Sequence, residues 1–447
     1  LKPRLSYGVN GNVNGIGNYE VYGEYAQVDA KTYGGATALY NKKLLNTNLR
    51  WEQSQTFEVG LDIGFLQNRL SFILDFYSRR TKDLLTKQAL PGYTGFSDIV
   101  TNMGTLRNSG FEAEVKANII NKGGFTWDMT ANITSVANKI ISLPYNNVEN
   151  NRVGGYEVAA GKVDADGKFP TKWIAGRQEG GKLGELVGYR QQHVFKDWDD
   201  VKQHANLRVD EVANLYGPGL ADQINPATGK TYKESSGWQP IEPGDACWED
   251  INGDNIINGY DRSVMGNIFP NVTGGFSTTF GYKGLSLYAR FDYALGHTLY
   301  NDLKARSLGQ YQGQFNIITD VKDMWSEANP NSDLTKFYYA DQLAKKNITR
   351  SNNASTAADN NSSRYYEKGD YLALREITLS YQLPKSLISK AHLTEASVYV
   401  TGQNLFYITG YDGVSPEPAV STTYGRGIDN GRYPTPRTFL FGLSLTF

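Results

Sequence analysis

The stretch TFLFGLSLTF, residues 438–447, alternates large apolar side chains with smaller or more polar ones and stops on an aromatic residue. In a β-strand, successive side chains point to opposite faces, so each face receives every second residue. Besides one leucine, one face carries only glycine, serine and threonine. The other face collects an apolar row, made of Phe439, Phe441, Leu443, Leu445 and Phe447. The segment therefore predicts a strand with one face against an apolar environment.

The same alternation recurs upstream and predicts three hairpins, each made of two strand segments joined by a short polar turn. Charged residues fall on the second row of these strands, where a water-filled interior would accept them at little cost. The paired segments are 57–65 with 70–76, 111–119 with 125–133, and 276–282 with 285–293.

The connections between predicted strands alternate in length. Short and long connections also alternate in an outer-membrane β-barrel, because its periplasmic turns are short and its extracellular loops are long. With this assignment the final strand runs toward the periplasm. A soluble β-sandwich has no reason to segregate its long loops in this way. We count about ten strands, with room for more inside 138–275. Short turns lie at Asn68, Gly123, Gly284 and 384–392, and long segments lie near 11–55, 81–107, 138–275, 300–366 and 404–436.

Composition excludes other classes. Lys and Arg total 45 against 46 for Asp and Glu, and this net charge of -1 gives no basic surface for nucleic acid. No apolar run of about 18 residues predicts a transmembrane helix. The 30 tyrosines, 19 phenylalanines and 7 tryptophans would supply the aromatic girdles of a barrel. No catalytic motif is present, so we expect no enzyme activity.

The single cysteine, Cys247, cannot form an internal disulfide, and the histidines lack the spacing of a metal site. We interpret all five residues as loop or surface side chains. The histidines are His193, His204, His297 and His392.

Several blocks of sequence resemble the SusC-like (SusC/RagA) TonB-dependent transporters of the bacterial outer membrane, and they follow the family's order over nearly the whole chain. This resemblance implies an all-β fold, an antiparallel transmembrane β-barrel with long extracellular loops. Residues 1–447 would form the carboxy-terminal portion of a wall of about 22 strands. The blocks are SYGVNGN at 6–12, WE at 51–52, FEVGLD at 57–62, DFYSRRTKDLL at 75–85, NSGFE at 108–112, GD at 244–245 to GN at 266–267, YLALREITLSYQLP at 371–384, GQNLF at 402–406, PE at 416–417, YP at 433–434, and 437–447.

Full members of this family place a signal peptide, a small domain, a TonB box, a plug domain and earlier strands before the region matched here. We expect this chain to lack the plug and amino-terminal domains and to require the earlier strands. The reason is that an open sheet in lipid would leave backbone N–H and C=O groups unpaired. In the family, an apolar row such as that of 438–447 is the signal read by the barrel-assembly machinery.

The resemblance implies TonB-dependent active import of a large nutrient, an oligosaccharide or a peptide, by the channel component of a SusCD-type complex. Expected partners are a SusD-like surface lipoprotein as a lid, TonB acting through the plug, outer-membrane lipid, the nutrient ligand, and a second SusCD pair in a dimer. Nucleic acid is not expected. Two alternatives stay open: a passive porin-like barrel, and a secreted calcium-dependent β-rich adhesin or carbohydrate-binding module.

Tryptophans in the long segments are candidates for contacts with the ligand or the lid, because their rings stack on sugars and pack against partner surfaces. They would equally serve as apolar anchors of their own loops. The candidates are Trp173, Trp198, Trp238, Trp248 and Trp325.

Residues 250–261, DINGDNIINGYD, have the spacing of an EF-hand-type calcium loop. Asn255 replaces the usual glycine at the sharp turn, and the last ligand is an aspartate where glutamate is usual. The segment therefore predicts either a Ca²⁺ site or a loop of Asx turns without metal. The candidate ligands are Asp250, Asn252, Asp254, the Ile256 carbonyl, Asn258 and Asp261.

Overall fold

A computed structural model describes most of the chain. The residues outside that description are 15, 18–19, 34–35, 91, 210–211, 214–223, 225–228, 232–240, 306, 309–315, 317, 338–360, 418–419, 422–424 and 432.

Ten long strands form one antiparallel sheet, which we call the wall, and wall strands that follow one another in the chain are neighbours in the sheet. The three predicted hairpins and the predicted antiparallel all-β class are confirmed. The wall strands are Lys2–Asn12, Glu52–Phe65, Leu70–Lys82, Thr105–Lys122, Phe125–Ser142, Val272–Tyr282, Leu285–Leu295, Tyr371–Gln382, Glu395–Thr409 and Thr438–Thr446.

The register of the wall places residues of like character side by side, so its two faces differ. One face suits lipid and the other suits a wet interior, because strands of a transmembrane barrel alternate in this way. An apolar row of the first face runs through Phe280, Leu287, Leu379, Val400 and Phe441. A polar row of the second face runs through Lys116, Thr130, Ser277, Arg290 and Glu376.

The strand bounds leave short turns at one end of the wall and long connections at the other. Lys283 and Gly284 both have positive φ, 47° and 89°, as a two-residue hairpin turn requires. The short turns are 66–69, 123–124, 283–284 and 383–394, and the long connections are 13–51, 83–104, 143–271, 296–370 and 410–437.

Short strands fill parts of the long connections and pair among themselves, not with the wall. In the described part of 143–271, where the sequence left room for further wall strands, the strands all lie outside the wall. The short strands are Glu24–Tyr33, Ala36–Lys43, Leu85–Ala89, Asp98–Asn102, Tyr156–Ala159, Thr171–Ile174, Glu185–Tyr189, Gln191–Val194, Arg208–Val209, Val212–Ala213, Ala246–Trp248, Ile256–Ile257, Arg262–Asn267, Thr298–Asn301, Asn361–Ser362, Tyr366–Lys368, Val420–Ser421, Gly425–Arg426 and Ile428–Asp429.

The part of the chain that the structure describes has few helices, and they are short. Among the described residues, no helix has the length and apolar character needed to cross a membrane. The α-helices are Trp198–Gln203, Asp302–Ala305 and Lys385–Ile388, and the 3₁₀ helices include Gly259–Asp261 and Ser389–Ala391.

The connection 143–271, which we call the loop body, has a hydrophobic core of its own. The side chains of this core come from short strands, from the helix Trp198–Gln203 and from the segments between them. Burial of their apolar surface therefore fixes the positions of these elements relative to one another. The core residues are Tyr189, Phe195, Val201, Leu207, Ile241, Ala246, Cys247, Trp248 and Ile257.

Candidate functional site

The polar face of the wall holds an ion cluster around Arg4. The Arg4 guanidinium lies 2.9 Å from Asp62 Oδ1, 2.8 Å from Asp75 Oδ1 and 3.6 Å from Glu58 Oε1. Gly60 leaves space for it, because a Cβ atom there would lie 2.8 Å from Arg4 Cζ. One guanidinium thus pairs with three carboxylates on the face predicted to be wet.

A second cluster connects a long connection to the wall. Arg375 donates from Nε to Asp292 Oδ2 at 3.0 Å and from NH1 to Tyr407 Oη at 3.2 Å, both on neighbouring wall strands. Its remaining nitrogen donates to Glu417, which belongs to the connection 410–437. Arg375 therefore anchors this connection to the wall by charge-assisted hydrogen bonds.

Residues 250–261 fold back on themselves, so that side-chain oxygens accept hydrogen bonds from the backbone of the same segment. Asp250 accepts from Gly253 N at 2.7 Å and from Asn255 N at 2.8 Å. Asp254 Oδ1 accepts from Ile256 N at 2.7 Å. Asn255 adopts φ 64°, the left-handed conformation that the usual glycine takes and that asparagine tolerates.

The last candidate ligand, Asp261, closes this loop. Its two carboxylate oxygens accept from Ile251 N at 2.9 Å and Asn258 N at 2.8 Å. Burial, which is the largest influence, and the charges of Asp250 and Asp254 raise the pKa of Asp261, whereas the two hydrogen bonds lower it, and the result is a pKa of about 6. The loop thus places the charges of Asp250 and Asp254 near the buried carboxyl of Asp261, and carboxylate oxygens are ligands that suit a hard cation such as Ca²⁺.

The tryptophans proposed to contact the ligand or the lid occupy different environments. Trp198 begins the helix of the loop body and is 42 % exposed, whereas Trp248 is buried in the core of that body. Burial corrects the prediction for Trp248, because its ring cannot reach a ligand or a lid unless the core opens. Trp238 lies outside the described residues.

The two remaining tryptophans are held by neighbours within the long connections. Arg152 stacks on Trp173, with Cζ 3.5 Å from the ring centroid. Trp325 donates from Nε1 to the Lys196 carbonyl at 3.1 Å. Both contacts are those of loop anchors.

The apolar row of the terminal strand lies on the exposed face of the wall, with Phe441 82 % exposed. This strand, Thr438–Thr446, pairs with Glu395–Gln403 as an edge of the sheet. The role of the row as an assembly signal stays a prediction. All five members are exposed: Phe439, Phe441, Leu443, Leu445 and Phe447.

Cys247 and His297 both lie in long connections, in agreement with our interpretation of them as loop or surface side chains, but the structure shows in addition that both are buried. Sequence analysis also missed that Cys247 lies close to His193 and His204. The pairing of His193 with Cys247 depends on the register of two short strands far apart in sequence, and no local pattern carries it.

Comparison with known proteins defines the class. Residues 1–240 match the family described as TonB dependent receptor-like, beta-barrel. This match covers more than half of the chain, and the chain belongs to that family. The family assignment confirms the predicted location in the bacterial outer membrane, and the family is one of receptors, not of enzymes.

Particular relatives agree with this assignment. The chain is 28 % identical over 453 residues to TonB-dependent receptor P3 of Formosa agariphila, covering 100 % of this chain and 39 % of the relative. It is 28 % identical over 461 residues to TonB-dependent receptor SusC of Bacteroides thetaiotaomicron, covering 100 % and 37 %. The predicted resemblance to SusC-like proteins is confirmed, and the chain spans about two fifths of the length of these relatives.

Solved structures show the same fold. The RagAB peptide transporter has a chain that superposes with a TM-score of 0.66 at 22 % identity, covering 100 % of this chain and 40 % of that one. The open-open state of the RagAB peptide importer gives a TM-score of 0.67 at 22 % identity, covering 99 % and 40 %.

Proposed function

We propose that residues 1–447 form the carboxy-terminal part of the wall, with its outer loops, of a TonB-dependent importer. The importer would carry a large nutrient, an oligosaccharide or a peptide, across the outer membrane as the channel component of a SusCD-type complex. The observation that best supports this proposal is the architecture of the wall, in a chain of the TonB-dependent receptor family. The wall has one apolar and one polar face, and its long connections lie at one end.

The partners follow from this arrangement. A SusD-like surface lipoprotein would rest on the long connections, where the exposed ring of Trp198 offers a contact of the kind that interfaces favour. TonB would act on a plug held against the polar face that carries Arg4. Two such complexes would associate as a dimer of pairs.

The test isolates the full-length protein from outer membranes in detergent under native conditions and identifies co-purifying polypeptides by mass spectrometry. We expect a SusD-like lipoprotein in about equal amount, and several-fold less of it with Trp198→Ala, because the loss of an exposed aromatic anchor weakens an interface. Trp173→Ala is the matched control, since that ring is covered by Arg152. Recovery of the protein without any lipoprotein would contradict the SusCD assignment.

A passive barrel is the alternative that a second experiment separates. An open porin-like channel conducts ions when reconstituted in planar bilayers, whereas a transporter with a plugged lumen stays closed. We expect little conductance from the full-length protein and uptake that stops when TonB is removed. Open conductance together with TonB-independent uptake would favour the passive barrel.

We also propose that residues 250–261 hold Ca²⁺. The spacing of oxygen ligands and the buried carboxyl of Asp261 support this. Titration calorimetry on the full-length protein should give one calcium site, which Asp254→Asn weakens at least tenfold by removing a charged ligand. Asp164→Asn is the matched control, because Asp164 is not a candidate ligand and accepts from Asp166 N and Lys168 N in a neighbouring turn. A similar loss in both variants, or no calcium binding, would contradict the site.

A further inference from the structure

His193, His204 and Cys247 bring two imidazoles and a thiol together inside the loop body. The nitrogen and sulfur atoms that these residues offer lie within 4.8 Å of one another. We propose that they form a zinc site that joins three segments of the loop body. This inference does not depend on the proposed import function.

The fold brings the three residues together by two local devices. His193 and Cys247 are cross-strand partners in the antiparallel pair of Gln191–Val194 with Ala246–Trp248, so their side chains lie on the same face. His204 follows directly after the helix Trp198–Gln203, at its carboxy-terminal end. The helix and the strand pair thus approach each other with these side chains between them.

A side-chain cap fixes the start of the helix Trp198–Gln203, and the position of His204 at its end follows from it. Asp197 caps it, accepting from Asp199 N at 3.0 Å and from Asp200 N at 2.9 Å. Val201 of the same helix is fully buried in the core that also contains Cys247. His204 therefore takes its position from a capped and packed helix, not from a free loop end.

Asp200 contacts both histidines. Asp200 Oδ2 lies 3.2 Å from His193 Nε2, and the Asp200 carbonyl lies 3.0 Å from His204 Nδ1. Carboxylate and carbonyl groups in such positions orient metal-binding imidazoles and raise their basicity. Asp200 is in turn held by Lys196 N, which donates to its Oδ2 at 3.0 Å.

The donor set selects the class of ion. One sulfur and two imidazole nitrogens suit Zn²⁺ and exclude the hard cations Ca²⁺ and Mg²⁺, which take oxygen ligands. Tetrahedral zinc, with bonds of about 2.0–2.3 Å, places its ligand atoms about 3.5 Å apart. Side-chain rotations that move the two imidazole nitrogens and the sulfur by about 1 Å would bring them from their present separation, within 4.8 Å, to that distance. Water would complete the coordination.

The three candidate ligands differ in their exposure to solvent. The side chains of His193 and His204 are 38 % and 35 % exposed, so an ion from solvent reaches them, while Cys247 approaches from the core. Burial, and then the charge of Asp200, raise the pKa of Cys247 to about 12. Without metal the thiol is neutral and unreactive, and zinc would replace its proton.

The test uses the full-length protein in detergent, stripped with a chelator and titrated with Co²⁺ as a spectroscopic substitute for Zn²⁺. Excess Ca²⁺ keeps residues 250–261 occupied. We expect one Co²⁺ per chain, with a tetrahedral d–d spectrum and a thiolate-to-cobalt charge-transfer band, both removed by added zinc. Absence of the charge-transfer band in the unmodified protein would overturn the proposal without the need for any variant.

Variants then assign the ligands. Cys247→Ser should abolish the charge-transfer band, and His193→Asn and His204→Asn should each lower zinc affinity at least tenfold, because each removes one ligand. His392→Asn, in the short turn 383–394, is the matched control and should bind zinc normally. Unchanged zinc affinity in the three ligand variants would show that the ion binds elsewhere and would overturn the site. Heat-modifiable migration in gels verifies that each variant is folded.

Discussion

At the scale of single residues, Asp261 shows how burial sets the chemistry of the loop 250–261. Its folded pKa of about 6 lies above the ordinary value of 3.8. The folded loop therefore holds its proton more tightly than the unfolded chain does. Without calcium, the contribution of Asp261 to stability is largest below about pH 4 and falls as the pH rises to about 6.

Calcium binding at this loop should have the opposite pH dependence, because the ion requires the ionised carboxylate. Protons compete with calcium below the folded pKa of about 6, so we predict that affinity at pH 5 is about tenfold weaker than at pH 7.5. Titration calorimetry at the two pH values measures this. Asp164→Asn should retain the full pH dependence. An affinity that is constant between these pH values would show that Asp261 is not a ligand.

The sequence predicts the environment of a residue where that environment is formed by neighbours in the chain. It does not do so where the environment is formed by distant segments. The candidate ligands of 250–261 lie close together in sequence, so their spacing alone predicts the turns that the structure shows, whereas calcium binding there stays a prediction. The burial of Trp248 and Cys247 could not be predicted, because it depends on packing between strands and a helix from separate segments. Lone aromatic or thiol residues in polar sequence give no signal of such packing.

At the scale of elements, the terminal strand Thr438–Thr446 has two unlike faces. Phe441 pairs with Val400 in the apolar row, whereas its neighbour Leu440 pairs with Thr401 on the opposite face. The Thr401 hydroxyl lies 2.8 Å from that of Thr378, so the row of the sheet that contains Leu440 continues with polar side chains. A side chain introduced at Phe441 would therefore face lipid, whereas the same side chain introduced at Leu440 would face the wet interior.

We predict that Phe441→Arg destabilises the full-length protein in lipid vesicles by about 2–4 kcal/mol, the cost of arginine near the bilayer midplane. Leu440→Arg, the matched control, should cost much less, because its side chain faces polar groups. Urea unfolding in vesicles measures both free energies of unfolding. Equal costs, or a larger cost for Leu440→Arg, would reverse the assignment of the two faces.

The wall strands were predictable because alternation with period two persists over many residues and short glycine or asparagine turns separate them. The short strands of the long connections were not predicted. Strands such as Ile256–Ile257 have too few residues to show a period, and this one pairs with a distant segment, Arg208–Val209. Their existence depends on tertiary contacts that no local window contains.

At the scale of the whole molecule, the long connections lie at one end of the wall and the short turns at the other. In an outer-membrane barrel the long end faces the outside of the cell. Asp166 lies in the loop body, and Ser389 lies in the short turn 383–394; both are exposed. Cys247 is buried, so the native thiol should give little background in a labelling experiment.

We predict that a membrane-impermeant maleimide labels Asp166→Cys on intact cells. Ser389→Cys should react only after the outer membrane is permeabilised, because its turn faces the periplasm. The unmodified protein measures the background from Cys247. Labelling of Ser389→Cys on intact cells, with Asp166→Cys protected, would invert the topology.

The core of the loop body also bears on how such proteins diversify. Nine residues from Tyr189 to Ile257 bury one another without drawing on the wall. Changes on the surface of this body therefore need not disturb strand register, and changes in the wall need not unfold the body. Selection can act on the two almost separately, so that a lineage can keep one pore while it exchanges the face that the pore presents to its surroundings.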